Sequence, residues 1–149
     1  MSASRPAPTL ALYGAWVVAI VATVGSLYFS EVRAFVPCVL CWWQRIFMYP
    51  LVLVLGVATF RQERGAWRYA LPLAIVGFAF STYHYLIQKV PSLAPPAMCA
   101  AGVPCTGQYV NYFGFVTIPF MAGTAFALIG VALVSVALVE RRSAATPPH

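Results

Sequence analysis

The sequence predicts an all-α integral membrane protein, an antiparallel four-helix transmembrane bundle with both termini in the cytoplasm. Three observations carry that expectation. The 149 residues are 62% hydrophobic and only 8% charged, whereas roughly a quarter of the residues in a soluble globule carry charge. The apolar residues gather into four runs, near residues 10–29, 42–60, 67–88 and 117–139. Lysine and arginine divide unevenly between the two ends of those runs. Each run, at about 1.5 Å per helical residue, reaches across a hydrocarbon core of about 30 Å. Lipid offers backbone groups no partner, so all four runs are expected as helices. The chain then reads as one transmembrane domain, residues 1–149, with outer loops over 30–41 and 89–116. Its net charge of +6 reflects a shortage of acids. The basic residues flank apolar runs, which points to lipid headgroups and away from nucleic acid.

Arg5 is the only charge ahead of the first run, which is longer than a signal-peptide core and is followed by three similar runs. It is expected as a retained span. Ala11, Ala15, Ala19, Ala22 and Ser26 recur along it at three- and four-residue spacing. Such a stripe suits close helix contact, although alanine is also simply common in membrane helices. Pro50 and Pro72 fall inside the second and third runs, where a bundle tolerates them. Pro119 stands near the start of the fourth, where its missing N–H costs little. Short connections make the first three helices antiparallel neighbours. The 89–116 connection is long for a bundle, and loops of that size usually have a function. Trp42, Trp43, Tyr83, Tyr85, Tyr109, Tyr112 and Phe113 crowd one boundary as an interfacial belt, with contact to a ring-shaped ligand or a partner as the alternative. Arg5, Arg61, Arg64, Arg68, Arg141 and Arg142 lie at one side; Arg33, Arg45 and Lys89 lie at the other. The richer side is expected in the cytoplasm. Both cysteine pairs then face outward, which in a bacterium is the oxidising side of the cytoplasmic membrane.

The chemistry concentrates in Pro37-Cys38-Val39-Leu40-Cys41-Trp42-Trp43-Gln44-Arg45, at the entry to the second helix. At about 100° per residue, positions 38, 41 and 45 share a face. Cys41 falls in the first turn, where unpaired N–H groups and the macrodipole favour negative charge, and Arg45 adds a fixed cation one turn on. Both favour the thiolate, the nucleophile of disulfide exchange. A bond between cysteines so close closes too small a loop to stabilise a fold much. The alternative is half of a zinc site completed by Cys99, Cys105 or His84 in a reducing compartment; for Arg45 it is a snorkelling interface anchor. Cys99 and Cys105 enclose a segment in which Gly102 and Pro104 favour a tight turn, so their sulfurs can bond. A purely structural staple is the other reading. Two dithiols on one membrane face allow stepwise exchange.

These residues resemble the DsbB/BdbC family of quinone-dependent disulfide-bond formation membrane proteins. Four spans, Cys-x-x-Cys-x-x-x-Arg opening the second and a cysteine pair before the fourth cover nearly the whole chain, and Cys-Val-Leu-Cys-Trp-Trp-Gln-Arg is the specific part. The resemblance implies a protein-disulfide oxidoreductase with ubiquinone or menaquinone as cofactor and a thioredoxin-fold thiol oxidase, DsbA/BdbD-like, as outer partner. It implies that Cys99 forms the mixed disulfide with the partner and that Cys105 attacks Cys38. Cys41 then faces the quinone, Arg45 stabilises its thiolate and the quinone being reduced, and His84 lies near the quinone site; a hydrogen-bonded interfacial histidine is the other reading of His84. Two departures stand out. Gln44 occupies a position that is acidic in many proteobacterial members, and the second pair is spaced as in the BdbC type. Two other activities fit the cysteines less well: export of reducing equivalents to outer thiols, and a disulfide-stapled scaffold without catalysis. Neither accounts for Arg45 beside Cys-x-x-Cys.

Overall fold

The computed structural model describes residues 6–96 and 102–145. All four apolar runs form helices, and no extended strand occurs among the described residues. Helix α1 spans Pro6–Leu27 and continues as a π-helical turn, Tyr28–Val32. Helix α2 spans Val39–Arg61. A 3₁₀ turn at Arg64–Ala66 leads into α3, Trp67–Lys89, and α4 spans Ile118–Ala145. All four are long and apolar enough to cross a membrane. Helix α4 runs on past Val139, carrying Glu140, Arg141 and Arg142 beyond its apolar stretch, where charge is cheap. Helix α2 ends when Gln62 turns left-handed (φ 55°). The amides of Gln62 and Glu63 then reach back to Thr59 and Ala58, which satisfies the orphan carbonyls of the last turn.

Each helix packs on its chain neighbours, and α4 closes the ring against α1; α1 and α3 occupy opposite corners. Four antiparallel helices bring the start of α1 and the end of α4 to one end, and Cys38 and Cys105 to the other. The exterior is apolar, with Leu53, Phe60, Tyr69 and Val131 exposed. At most 33% of the most apolar window of any span is buried inside the bundle, as expected of a surface that faces lipid.

Between helices in lipid, association depends on close packing rather than on water exclusion, and the contacts are made by small residues. Ala15 and Ala19 of the α1 stripe are fully buried beside Leu12, while Ala11, Ala22 and Ser26 are half-buried. Gly56 receives the Trp16 indole, since a Cβ there would lie 2.9 Å from Nε1. Gly77 on α3 lies against the Phe126 ring of α4, and a methyl group there would overlap that ring. Gly77→Ala is therefore expected to destabilise the protein by about 1–3 kcal/mol, lowering the thermal midpoint in detergent; Gly130→Ala, which meets nothing, should leave it unchanged.

The two ends are tied differently. At the terminal end, Glu140 accepts from Trp67 Nε1 (2.5 Å) and pairs with Arg68 (3.2 Å), fastening α3 to α4. At the cysteine end, Phe35 stacks between Phe29 and Tyr109, with ring centroids 5.9 and 4.7 Å away. Lys89 Nζ donates to the Gly114 carbonyl at 2.6 Å.

Candidate active site

Cys38 is the residue that caps α2. Its backbone is extended (ψ 171°) and its sulfur accepts the Cys41 amide, at 3.4 Å. Capping a helix with a side chain brings it over the third helical residue, and here that residue is a second cysteine. The two sulfurs stand 3.1 Å apart. Cys38 is buried and Cys41 half-buried. The Cys38 thiol is pushed up to about 12, first by the hydrogen bond it shares with the Cys41 sulfur and then by burial, with His84 pulling the other way. Cys38 thus keeps its proton at neutral pH while the pair is reduced.

His84, on α3, is buried, and its Nε2 lies 3.6 Å from the Cys38 sulfur. The same nitrogen donates to the Cys105 carbonyl at 3.1 Å. A carbonyl only accepts, so Nε2 carries the hydrogen. Nδ1 then receives a bond from Gln44 Nε2 at 2.9 Å, and the amide orientation follows from the network. Gln44 is buried, and its neutral amide matches an imidazole with a bare Nδ1; an ionised carboxylate there would demand a proton on that nitrogen. Cys105 is fully buried in one apolar cluster with Cys38, Leu40 and Ile87. The fold therefore gathers Cys38, Cys41, Cys105 and His84; Cys99 lies outside the described residues.

Sulfur and nitrogen atoms of Cys38, Cys41 and His84 all lie within 4.8 Å of one another, close enough to hold a metal ion. Two details of geometry favour redox chemistry. Two thiolates on one tetrahedral zinc, at about 2.3 Å each, stand roughly 3.8 Å apart, wider than this pair. The imidazole nitrogen facing the sulfurs also carries a hydrogen, which leaves it no lone pair to give.

Arg45 lies one turn beyond Cys41. Its guanidinium donates to the Ser26 carbonyl at 3.1 Å and sits 5.4 Å above the Trp42 ring. Ser26 is near the point where α1 widens into the π turn, marked by Arg33 N bonding Tyr28 O at 3.1 Å. Ser30 Oγ donates to the same Ser26 oxygen at 3.3 Å, so that carbonyl accepts from both side chains. Cys41, Gln44 and Arg45 share the wall of a cavity of about 480 Å³ between α1, α2 and α4, completed by Val17, Val21, Phe29, Met48 and Tyr109 among others. A smaller hollow of about 20 Å³ lies against Cys38, His84, Gln88 and Pro104, and Cys41 borders it too. His84 faces this hollow and the sulfurs; it does not line the large cavity.

One functional candidate escaped the sequence reading. Gln88 is buried at the end of α3, donates to the Gly107 carbonyl at 3.0 Å, and accepts from Gln108 on its own carbonyl at 3.1 Å. The available signal was spacing: Ser81, His84 and Gln88 form a polar line on one face of an otherwise apolar helix, and all three are buried.

Comparison with known proteins fits this arrangement. The family model described as "Disulfide bond formation protein DsbB" matches residues 8–138. The chain is 59% identical over 118 residues to "Disulfide bond formation protein C" of Bacillus subtilis (strain 168), covering 79% of this chain and 86% of that protein. It is 53% identical over 121 residues to "Probable disulfide formation protein C 1" of Bacillus anthracis, with 81% and 87% covered. To "Probable disulfide formation protein" of Coxiella burnetii it is 47% identical over 122 residues, with 81% and 83% covered. No solved structure matches. A match along nearly all four spans, joined to a thiol pair capping the second, places the chain in the DsbB family of disulfide bond formation proteins, as a multi-pass membrane disulfide oxidoreductase.

Proposed function

We propose that this protein reoxidises a thioredoxin-fold thiol oxidase of the DsbA/BdbD type and delivers the two electrons to a membrane quinone. The observation that carries the reading is the place of Cys41, which borders both the hollow beside Cys38 and the large cavity lined by Arg45. In this scheme the Cys99–Cys105 disulfide oxidises the partner's dithiol. Cys105, as thiolate, attacks Cys38; the Cys105–Cys38 bond forms, the Cys38–Cys41 bond breaks, and Cys41 departs with the electron pair. Arg45 stabilises that sulfur anion in a site poor in water, where a fixed cation acts strongly.

The residues present fit a quinone. A volume of about 480 Å³ is within the usual range for small-ligand sites, roughly 300–1,000 Å³, which combine apolar walls with a few placed polar groups. Here Val17, Val21 and Phe29 supply the walls, with Arg45 and Cys41 at the polar end. A bound quinone supplies an acceptor for two electrons and two protons, and the protein supplies placement and charge. We place the protein in the bacterial cytoplasmic membrane, termini inside and cysteine end outward. The support is basic charge, concentrated at the terminal end in Arg61, Arg64, Arg68, Arg141 and Arg142.

The test is anaerobic turnover of the purified protein with a reduced thioredoxin-fold donor and a short-chain ubiquinone or menaquinone. One quinone should be reduced per dithiol oxidised. Donor oxidation that proceeds equally well without quinone would remove this reading, as would labelling that finds Cys38 accessible only from the cytoplasm.

A further inference from the structure

We infer that Gln88 is a positioning residue, which holds the 104–108 segment on α3 so that the Cys105 sulfur is presented to Cys38. The inference rests on the proposed relay between the two cysteine pairs and adds to it the element that makes their encounter frequent. A pair of cysteines 67 residues apart in sequence (105 minus 38) must be brought together by something other than chain connectivity. Here that is the polar line on α3. His84 and Gln88 are one helical turn apart on the same face, and both donate to backbone carbonyls of the loop. His84 Nε2 reaches Cys105 O at 3.1 Å and Gln88 Nε2 reaches Gly107 O at 3.0 Å. Gln108 closes the arrangement by donating to the Gln88 carbonyl at 3.1 Å. Carbonyls two residues apart are thereby fixed at two points on a rigid helix, and Cys105 is fully buried in one cluster with Cys38 and Ile87.

His84 has other duties, since it also touches the Cys38 sulfur and Gln44. Gln88 has none. Its side-chain oxygen is buried without a hydrogen-bond partner among the described residues, so the amide's single bond is the one to the loop. Holding a reactant in place raises its effective concentration without touching the reacting atoms, and that is the quantity Gln88 controls.

The test uses the full chain in detergent in two cysteine backgrounds. In Cys41→Ser with Cys99→Ser, the remaining thiols are Cys38 and Cys105, and equilibration with glutathione buffers reads the effective concentration of one for the other. Gln88→Leu in that background is expected to lower it about fivefold to tenfold, the equivalent of one lost hydrogen bond. Gln88→Glu, which keeps the shape but sets an acceptor against the Gly107 carbonyl, should lower it further. In Cys99→Ser with Cys105→Ser, the same measurement on the Cys38–Cys41 pair should stay within about twofold, because Gln88 makes no bond to either. This second background also reports whether the variants fold. An unchanged value in the first background overturns the inference, and so does an equal fall in both. If no Cys38–Cys105 bond forms even with Gln88 intact, the relay fails, and the inference fails with it.

Discussion

Cys41→Ser is expected to abolish quinone-linked turnover, lowering it by a factor on the order of 10⁴ or more, as loss of a nucleophile generally does. The size of the effect follows from position. Among the described residues Cys41 is the one cysteine on the wall of the large cavity, so it is the thiol placed to hand electrons across. A serine oxygen is nearly isosteric, and Cys41 is only half-buried, so the fold should persist. Turnover of a short-chain quinone with dithiol donor, read beside the thermal midpoint, separates the two: activity gone, midpoint within a few degrees. Residual turnover at a tenth of the native rate would mean that electrons leave by another route.

Arg45→Met should lower turnover by about 10²–10³, the range found when a single preorganised group facing a developing anion is removed. Methionine keeps an unbranched stem of similar reach, and Ser30 Oγ remains on the Ser26 carbonyl at 3.3 Å, so packing changes little. Arg45→Lys should fall in between, since it retains charge but loses the planar fork that bonds Ser26 and covers Trp42. Stopped-flow reduction of quinone by pre-reduced protein isolates the step. An Arg45→Met rate within threefold of native would show that the guanidinium anchors the helix and nothing more.

The spans were legible because lipid selects for long apolar runs whatever their internal packing. Cys41 and Arg45 were legible because they lie one turn apart in one helix, and both line the large cavity; Cys38 is the extended cap ahead of that helix and lines the smaller hollow instead. What the sequence could not convey was contact between distant helices. Nothing local in Gly77 announces that Phe126 will fill its notch, and Gly14 and Gly25, which look the same in the sequence, face open space. The π turn after α1 has no composition of its own, so the sequence predicts a loop from residue 30 where the helix continues to Val32, and nothing local announces the Arg45–Ser26 bond. Gln44 read as a departure from an acidic position; its partner, His84, is a helix away. Gln88 read as the last residue of a span. Only the approach of the 104–108 segment gives its amide a purpose.

The two hollows that meet at Cys41 have a consequence for selectivity. They share Cys41, Tyr109 and Ile118 as common wall, and of these only a sulfur can pass on electrons by making and breaking bonds. In the proposed relay this partition acts as a wire through an insulator, with Cys41 as the point at which charge crosses it. Under that proposal a hydrophobic oxidant would stay among the lipid tails and client thiols would stay in water. The specificity of the whole exchange then reduces to the identity of a single atom in the dividing wall.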